Sequence, residues 1–197
     1  MLAELRNSLR PALILLVALT LLTGILYPLA VTGAAQLVFP HQANGSLIQR
    51  QGRVVGSELI GQNFAGAGYF HGRPSAAGKD GYDGAGSAGS NLAPGSRDLR
   101  DAIAKRMADL RAANPKAAIP ADLVTASASG LDPDISPEAA LFQVQLIAAK
   151  RGLAPGALAN LVARDTHGAL LGFLGEPRVN VLELNLELDA MEAATRR

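Results

Sequence analysis

The apolar stretch ALILLVALTLLTGILYPLAVTGA, residues 12–34, decides the architecture of this chain. No Asp, Glu, Lys or Arg occurs between Arg10 and Arg50, so the stretch carries no charge that would oppose burial in lipid. Its 23 residues, rising about 1.5 Å each, make a helix of about 35 Å, and a hydrocarbon core is about 30 Å thick. The sequence therefore predicts a transmembrane helix over residues 12–34, with a kink at Pro28 that membrane helices tolerate.

The basic residues around this stretch predict its orientation. Arg6 and Arg10 precede it, and no basic residue follows it until position 50. Because the flank richer in Lys and Arg stays inside the cell, we expect residues 1–11 in the cytoplasm and residues 35–197 outside it. A cleaved signal peptide ending near Ala34 is the alternative. The apolar core of a signal peptide is only about 7–15 residues long, so we favour a retained anchor.

The composition of the chain excludes several functional classes. The formal net charge is +1, whereas a nucleic-acid binder needs a basic patch, so no nucleic-acid partner is expected. The chain has no cysteine, which excludes a disulfide framework, a thiol nucleophile and a cysteine-based zinc site. Residues 61–95 hold ten glycines and half of the aromatic residues. A flexible linker has no use for such rings, so this Gly/Ser-rich segment is predicted to be an ordered loop region.

The remaining segments predict an α+β domain. Strand candidates are Val54-Val55 and Leu59-Ile60. Helices are predicted from a cap at Ser96 to about Ala113, from a cap at Ser136 to Arg151 with Gly152 as the C-cap, and from Pro155 to Arg164. The tail VNVLELNLELDAMEA, 179–193, alternates like a strand, but it is rich in helix formers and Asn180 is a suitable cap, so we favour a helix. The predicted fold class is a single N-terminal transmembrane helix followed by one extracytoplasmic α+β domain.

Short motifs give no catalytic or metal-binding signature. GAGSAG, 84–89, spells G-x-G-x-x-G, but it lacks the preceding strand and following helix of a dinucleotide site. GRPSAAGKD, 72–80, has the wrong spacing for a P-loop and lacks the hydroxyl that binds magnesium. The histidines are far apart in sequence, and there is no G-x-S-x-G element. We therefore expect no catalytic residue, no metal site and no directly bound cofactor in this chain alone.

The stretch DLVTASASGLDPDISPEAA, 122–140, is dense in small polar residues and turn formers. Ser129-Gly130 and Asp132-Pro133 each predict a turn, and Ser136 begins a helix. The carboxylates fail the EF-hand spacing, which needs a central glycine and a distal glutamate at fixed positions. The turns account for the shape of the loop but leave Thr125, Ser127 and Ser129 without an assigned role.

Six stretches, in order along nearly the whole chain, match one known family. They are TGILYPL (23–29), LIGQNF (59–64), YFHGRPSA (69–76), GSNLAPGS (89–96), IPADLVTASASGLDPDISPEAA (119–140) and GEPRVNVLELNLELD (175–189). The chain resembles KdpC, the C subunit of the Kdp potassium-transporting ATPase. Family members usually carry paired glycines where this chain has Ala88-Gly89, so we expect a small change in that loop.

The resemblance implies membership of a complex in the bacterial inner membrane. Its other members are a channel-like subunit that conducts potassium, a P-type ATPase subunit that hydrolyses ATP, and a small single-span subunit. ATP and potassium are used by the complex. This chain would be a non-catalytic, single-pass subunit needed for assembly and activity.

Two mechanisms are compatible with that membership. In the first, the chain docks on the outer face of the complex near the potassium entrance, through a surface containing Ser127, Ser129, Gly130 and Asp132. In the second, which the family resemblance implies, it is a catalytic chaperone that raises the affinity of the ATPase subunit for ATP, with Ser127, Ser129 and Gln143 near the nucleotide. Because ATP is cytoplasmic and the domain is predicted to lie outside, we favour docking. A free-standing binding protein is a third class, disfavoured by the scarcity of aromatic residues and of ligand motifs.

Overall fold

The computed structural model describes residues 2–115 and 117–195, which form two compact units that meet between Leu47 and Ile48. The first unit is helical. It contains α1 (Leu2–Leu21), a π-helical segment (Leu22–Leu26), α2 (Tyr27–Val38) and a short α3 (Pro40–Ala43). Within the described residues, one helical stretch, Arg6–Val38, is long and apolar enough to cross a membrane.

The π-helical segment lies directly before Pro28. The Tyr27 amide donates to the Leu22 carbonyl, one residue further back than in an α-helix. The Thr23 hydroxyl also donates to the Leu19 carbonyl at 2.7 Å, which satisfies a polar group on an exposed apolar helix. The predicted span of residues 12–34 lies within this helical stretch.

The second unit is an α+β domain with little sheet. Strands β1 (Leu47–Arg50) and β2 (Arg53–Ser57) form one two-stranded sheet. A three-stranded sheet has the order β3-β5-β4, with both pairs antiparallel. The other elements are β3 (Asp134–Ile135), β4 (Thr166–His167), β5 (Arg178–Asn180), α4 (Arg97–Ala113), a 3-10 turn (Ala121–Leu123), α5 (Pro137–Arg151), α6 (Pro155–Arg164) and α7 (Val181–Thr195).

The predicted helices are confirmed, together with their caps. The Ser96 hydroxyl accepts the amide of Leu99 at 3.2 Å, and the Ser136 hydroxyl accepts the amide of Ala139 at 3.1 Å. Gly152 ends α5 in the left-handed conformation, with φ +67°. These caps are local signals, which is why the sequence alone predicts them.

The tail is a helix, as favoured from its composition. The side-chain oxygen of Asn180 accepts the amides of Leu182 and Glu183, and α7 then runs to Thr195. Its buried positions are Val181, Leu182, Leu184, Asn185 and Leu188, which lie on one side of a helix because 181, 184, 185 and 188 are spaced by three and four residues. The alternation of leucines is therefore only superficially strand-like.

The strand candidate Leu59-Ile60 is wrong. Strand β2 ends at Ser57, whose hydroxyl accepts the Leu59 amide at 3.2 Å and whose carbonyl accepts the Ile60 amide at 3.3 Å. These two bonds form a turn instead of a ladder. Val54-Val55, by contrast, lies in β2 as predicted.

The core of the second unit lies among α5, α6, α7 and the three-stranded sheet. Phe70 comes from the loop region and is fully buried in this core. Its other fully buried large side chains include Leu158, Leu184, Leu188 and Val179. The loop region thus contributes an anchor that ties it to the helices.

Candidate functional site

Residues 122–136 pack against residues 61–95, and we call these two segments together the loop platform. Backbone bonds join them at several points. The Ala88 amide donates to the Ser129 carbonyl at 2.9 Å, and the Gly61 amide donates to the Leu131 carbonyl at 2.8 Å. The Ser75 hydroxyl donates to the Gly130 carbonyl at 2.6 Å. The stretch singled out in the sequence is therefore fixed to the glycine-rich segment and is not a free loop.

Gly130 is a tightly packed position of the loop platform. Its φ is +67°, a conformation that L side chains rarely adopt. A Cβ there would lie 2.5 Å from the Ala88 carbonyl oxygen and 2.7 Å from the Ala77 amide nitrogen. Only glycine fits, because both the backbone angle and the space exclude a side chain.

Asp132 stabilises the turn that follows. One of its carboxylate oxygens accepts the amide of Asp134 at 3.1 Å, and the other pairs with the Arg73 guanidinium at 3.1 Å. The Asp122 carboxylate accepts the amide of Ser136 at 2.7 Å, which holds the end of the loop at the start of α5. Each carboxylate thus satisfies backbone groups that a sharp turn leaves unpaired.

The predicted site serines differ in exposure. Ser127 is buried, and its amide donates to the Pro74 carbonyl at 3.3 Å. Ser129 is exposed, and its hydroxyl accepts the Leu131 amide at 3.1 Å. Ala128, between them, is also exposed. Within residues 122–136, the exposed positions are therefore Ala128 and Ser129, and Asp132 is partly buried.

Gln143, the third residue predicted near a nucleotide, hydrogen-bonds the backbone of this chain. It is buried, and it clamps the backbone of His71 from α5. Its side-chain oxygen accepts the His71 amide at 2.8 Å, while its nitrogen donates to the carbonyls of His71 and Ala139. In this conformation both the oxygen and the nitrogen of the Gln143 amide hydrogen-bond the backbone of the chain.

Asn185 makes the same clamp on the preceding residue. Its side-chain oxygen accepts the Phe70 amide at 2.8 Å, and its nitrogen donates to the Phe70 carbonyl at 2.9 Å. Gln143 and Asn185 thus replace the strand partner that these two extended residues lack. The sequence signal was an Asn on the buried face of a helix, where a polar residue needs a partner.

Arg151 fixes the start of the same segment. Its Nε donates to the Gly68 carbonyl at 2.6 Å, and its Nη1 pairs with Asp189 at 2.7 Å and Glu192 at 2.5 Å. The guanidinium also lies 4.4 Å from the centre of the Tyr69 ring. The C-terminal end of α5 therefore holds the loop platform against α7.

Tyr82 fills the centre of the loop platform. It adopts φ +57°, and its hydroxyl donates to the Arg73 carbonyl at 2.6 Å. Its ring occupies the space in which any side chain at Gly61 or Gly72 would lie. Burial, and to a lesser extent the Asp132 carboxylate, raise the pKa of the Tyr82 phenol to about 12, although Arg73 opposes this.

An acidic cleft of about 430 Å³ adjoins Asp132. Its lining includes four carboxylates and two guanidinium groups: Asp122, Asp132, Asp134, Glu176, Arg73 and Arg178. Both guanidinium groups are paired, Arg73 with Asp132 and Arg178 with Asp134 at 3.0 Å. Burial raises the pKa of Asp134, and Arg178 opposes that shift. The cleft suits a hydrated cation better than a phosphate. Among the described residues, no group of three or more His, Asp or Glu is arranged to hold a metal ion.

Comparison with known proteins gives one consistent result. The family model for KdpC, described as K+-transporting ATPase, c chain, matches residues 9–190. A potassium-transporting ATPase KdpC subunit from Polaromonas naphthalenivorans is 59% identical over 189 residues, which cover 95% of this chain and 96% of that protein. The corresponding subunit of Methylorubrum extorquens is 58% identical over 92% of this chain and 96% of that protein. That of Gemmatimonas aurantiaca is 57% identical over 96% of both.

Proposed function

Because the chain belongs to the KdpC family of K+-transporting ATPase subunits, we propose that it is the accessory subunit of a high-affinity, ATP-driven potassium uptake complex. It assembles with the channel-like subunit, the P-type ATPase subunit and a small single-span subunit. In this proposal it is needed for assembly and activity but performs no chemistry itself.

The apolar helical stretch anchors the chain in the cell membrane. Arg6–Val38 is long enough to cross a bilayer, and Arg6 and Arg10 at its start favour a cytoplasmic N-terminus. The domain after it then faces outward. Protease added to intact spheroplasts should digest this domain. Digestion only after lysis would reverse the orientation.

The loop platform is the docking surface, and the crowded contact at Gly130 is the observation that carries this proposal. The loop is fixed by backbone bonds to residues 61–95, so it is already ordered before a partner arrives. A preformed surface loses little conformational entropy on binding, which favours affinity. Within residues 122–136, Ala128 and Ser129 are exposed to solvent and are available to the channel-like subunit.

The acidic cleft beside the platform gives docking a role near the potassium entrance. Four carboxylates against two guanidinium groups leave a local excess of negative charge. Such a field raises the local concentration of cations at a surface. The excess negative charge of this cleft would repel a nucleoside triphosphate.

A pair of matched variants tests docking. Ala128→Arg places a long charged side chain on the exposed platform, and Ala163→Arg places the same side chain on an exposed position of α6. We expect Ala128→Arg to lower the yield of co-purified channel-like subunit in mild detergent, while Ala163→Arg leaves it unchanged. Equal yields for both variants would contradict docking through the platform.

The catalytic-chaperone mechanism predicts a different result. If Ala128→Arg assembles normally but selectively raises the apparent KM of the complex for ATP, the platform affects ATP affinity, and docking is not its role. The purified chain alone should give no potassium-dependent ATP hydrolysis. Turnover that follows this chain through purification would contradict a non-catalytic subunit.

A further inference from the structure

Four large apolar side chains are exposed together in the loop between β4 and β5. They belong to residues 170–174, which we call the apolar tip. Leu171 and Phe173 are 75% and 73% exposed, and Leu170 and Leu174 are 68% and 49% exposed. No charged residue occurs in residues 168–175. Contiguous exposed apolar residues of this kind are typical of an interaction site.

The apolar tip is a closed, hydrogen-bonded turn. Leu170 and Leu174 form a bridge in which each amide donates to the other's carbonyl at 2.9 Å. Leu171 and Gly172 both have positive φ, +56° and +80°. Leucine is disfavoured in that region, and such strain is concentrated at functional sites. The hydrogen-bonded turn therefore keeps these four apolar side chains largely exposed to solvent.

The stem of the tip lies where the chain enters the second unit. Strands β4 and β5 form this stem, with His167 opposite Arg178. His167 lines the same cleft as Ile48 and Arg50, the first residues of the unit. The stem of the hairpin therefore lies close to the first residues of the second unit.

Several charged side chains near the stem form ion pairs, whereas Glu176, just beyond the tip, is exposed. Arg178 pairs with Asp134 at 3.0 Å, and Arg164 pairs with Glu187 at 2.6 Å. His167 lies 3.7 Å from Glu183. The tip thus presents an uncharged surface that lacks side-chain hydrogen-bonding groups, which suits hydrocarbon better than a charged surface.

We propose that the apolar tip inserts into the lipid bilayer that holds the chain's own helix. Nine residues lie between Val38 and Ile48, and ten steps of at most about 3.3–3.6 Å each limit the tether to about 35 Å. Apolar side chains at a membrane interface enter it by about 5–10 Å. The tip then restricts rotation of the domain about its tether. This inference rests on the proposed membrane anchoring but not on docking by the loop platform.

Tryptophan reporters test insertion in the full chain, which has no native tryptophan. Phe173→Trp reports on the tip. Leu141→Trp is the matched control, because Leu141 is an exposed residue on α5 outside the tip. Ile14→Trp reports on the apolar helical stretch. Each variant is reconstituted into nanodiscs of phosphatidylcholine, with and without bromine atoms on the acyl chains, and the loss of emission is measured.

We expect bromolipid to quench at least half of the emission of Phe173→Trp and of Ile14→Trp, and to leave Leu141→Trp unchanged. Zwitterionic lipid alone should suffice, because the tip itself carries no charged residue. Adding Leu171→Asp to a second reporter, Leu170→Trp, should abolish the quenching of that reporter. The second reporter makes the test independent of whether tryptophan is tolerated at position 173.

Quenching at Ile14 without quenching at Phe173 or Leu170 would overturn the inference and leave membrane anchoring intact. Absence of quenching at Ile14 would instead contradict the anchoring on which it rests. If the emission of Phe173→Trp shifts to the blue only when the partner subunits are present, and bromolipid has no effect, the tip binds protein and lipid insertion is rejected.

Discussion

Replacing Gly130 with alanine tests whether close packing holds the loop platform together. Gly152 offers a matched control, because both glycines have φ +67°. At position 130 a Cβ would lie 2.5 Å from the Ala88 carbonyl oxygen and 2.8 Å from the Ala77 Cβ. At position 152 nothing lies within 4 Å of it. The two substitutions therefore share the backbone strain and differ only in crowding.

The expected loss of stability follows from these two terms. Left-handed φ costs an L residue about 1–2 kcal/mol, and this applies to both variants. Overpacking adds about 1–3 kcal/mol, and it applies only to Gly130→Ala. At about 2–4 °C per kcal/mol for a domain of this size, the melting temperature of Gly130→Ala should lie about 2–12 °C below that of Gly152→Ala.

The assay is thermal unfolding of the full chain in detergent micelles, followed by circular dichroism. Hydrogen exchange at the Ala88 amide, which donates to the Ser129 carbonyl, reports whether the platform itself has opened. We expect faster exchange in Gly130→Ala than in Gly152→Ala. Equal melting temperatures and equal exchange would refute the claim that the platform is a tightly packed, preformed surface.

Other contacts give further predictions. Gln143→Leu should cost about 2–4 kcal/mol, since it leaves two groups of His71 unpaired, and it should speed hydrogen exchange at His71; unchanged exchange would contradict the clamp. In a spectrophotometric titration, one phenol should ionise near pH 12, and Tyr82→Phe should remove that step. The pKa of the Tyr82 phenol is higher in the folded state than in the unfolded state. The contribution of Tyr82 to the free energy of unfolding is therefore complete below about pH 10 and is lost as pH rises through about 12. A free energy of unfolding that does not change over that range would argue against burial of this phenol. Arg151→Met should lower stability by about 1–3 kcal/mol and Arg151→Lys by less, because lysine keeps the charge that pairs with Asp189 and Glu192. The reverse order would show that packing of the aliphatic part of the Arg151 side chain, and not its charge, stabilises this contact.

The helices could be predicted from the sequence because their signals are local. Ser96, Ser136 and Gly152 cap the helices that contain or adjoin them, and each cap bond spans only a few residues. The tail helix depended on Asn180 in the same way. The prediction of a strand at Leu59-Ile60 was wrong, because apolar residues next to a strand do not reveal where the strand's hydrogen bonding ends.

The arrangement of the site could be predicted only in part. The turns at Gly130 and Asp132 follow from their residue types, but the partners of those turns lie in residues 61–95 and are reached by tertiary folding. Gln143 contacts a residue 72 positions away, and Asn185 one 115 positions away. Nothing local distinguishes such an amide from one that binds a ligand, so the sequence did not reveal that Gln143 contacts His71, and its nucleotide role stays a prediction.

Cysteine labelling tests the central claim most directly, since the chain contains no native cysteine. Ala128→Cys lies on the exposed platform and Ala163→Cys on the exposed side of α6. A membrane-impermeant maleimide is applied to intact cells that express the chain alone or with its partner subunits. We predict that both cysteines are labelled when the chain is alone and that only Ala128→Cys is protected in the complex. Labelling only after lysis, or equal labelling of Ala128→Cys with and without partners, would contradict an outward-facing subunit that docks through the loop platform.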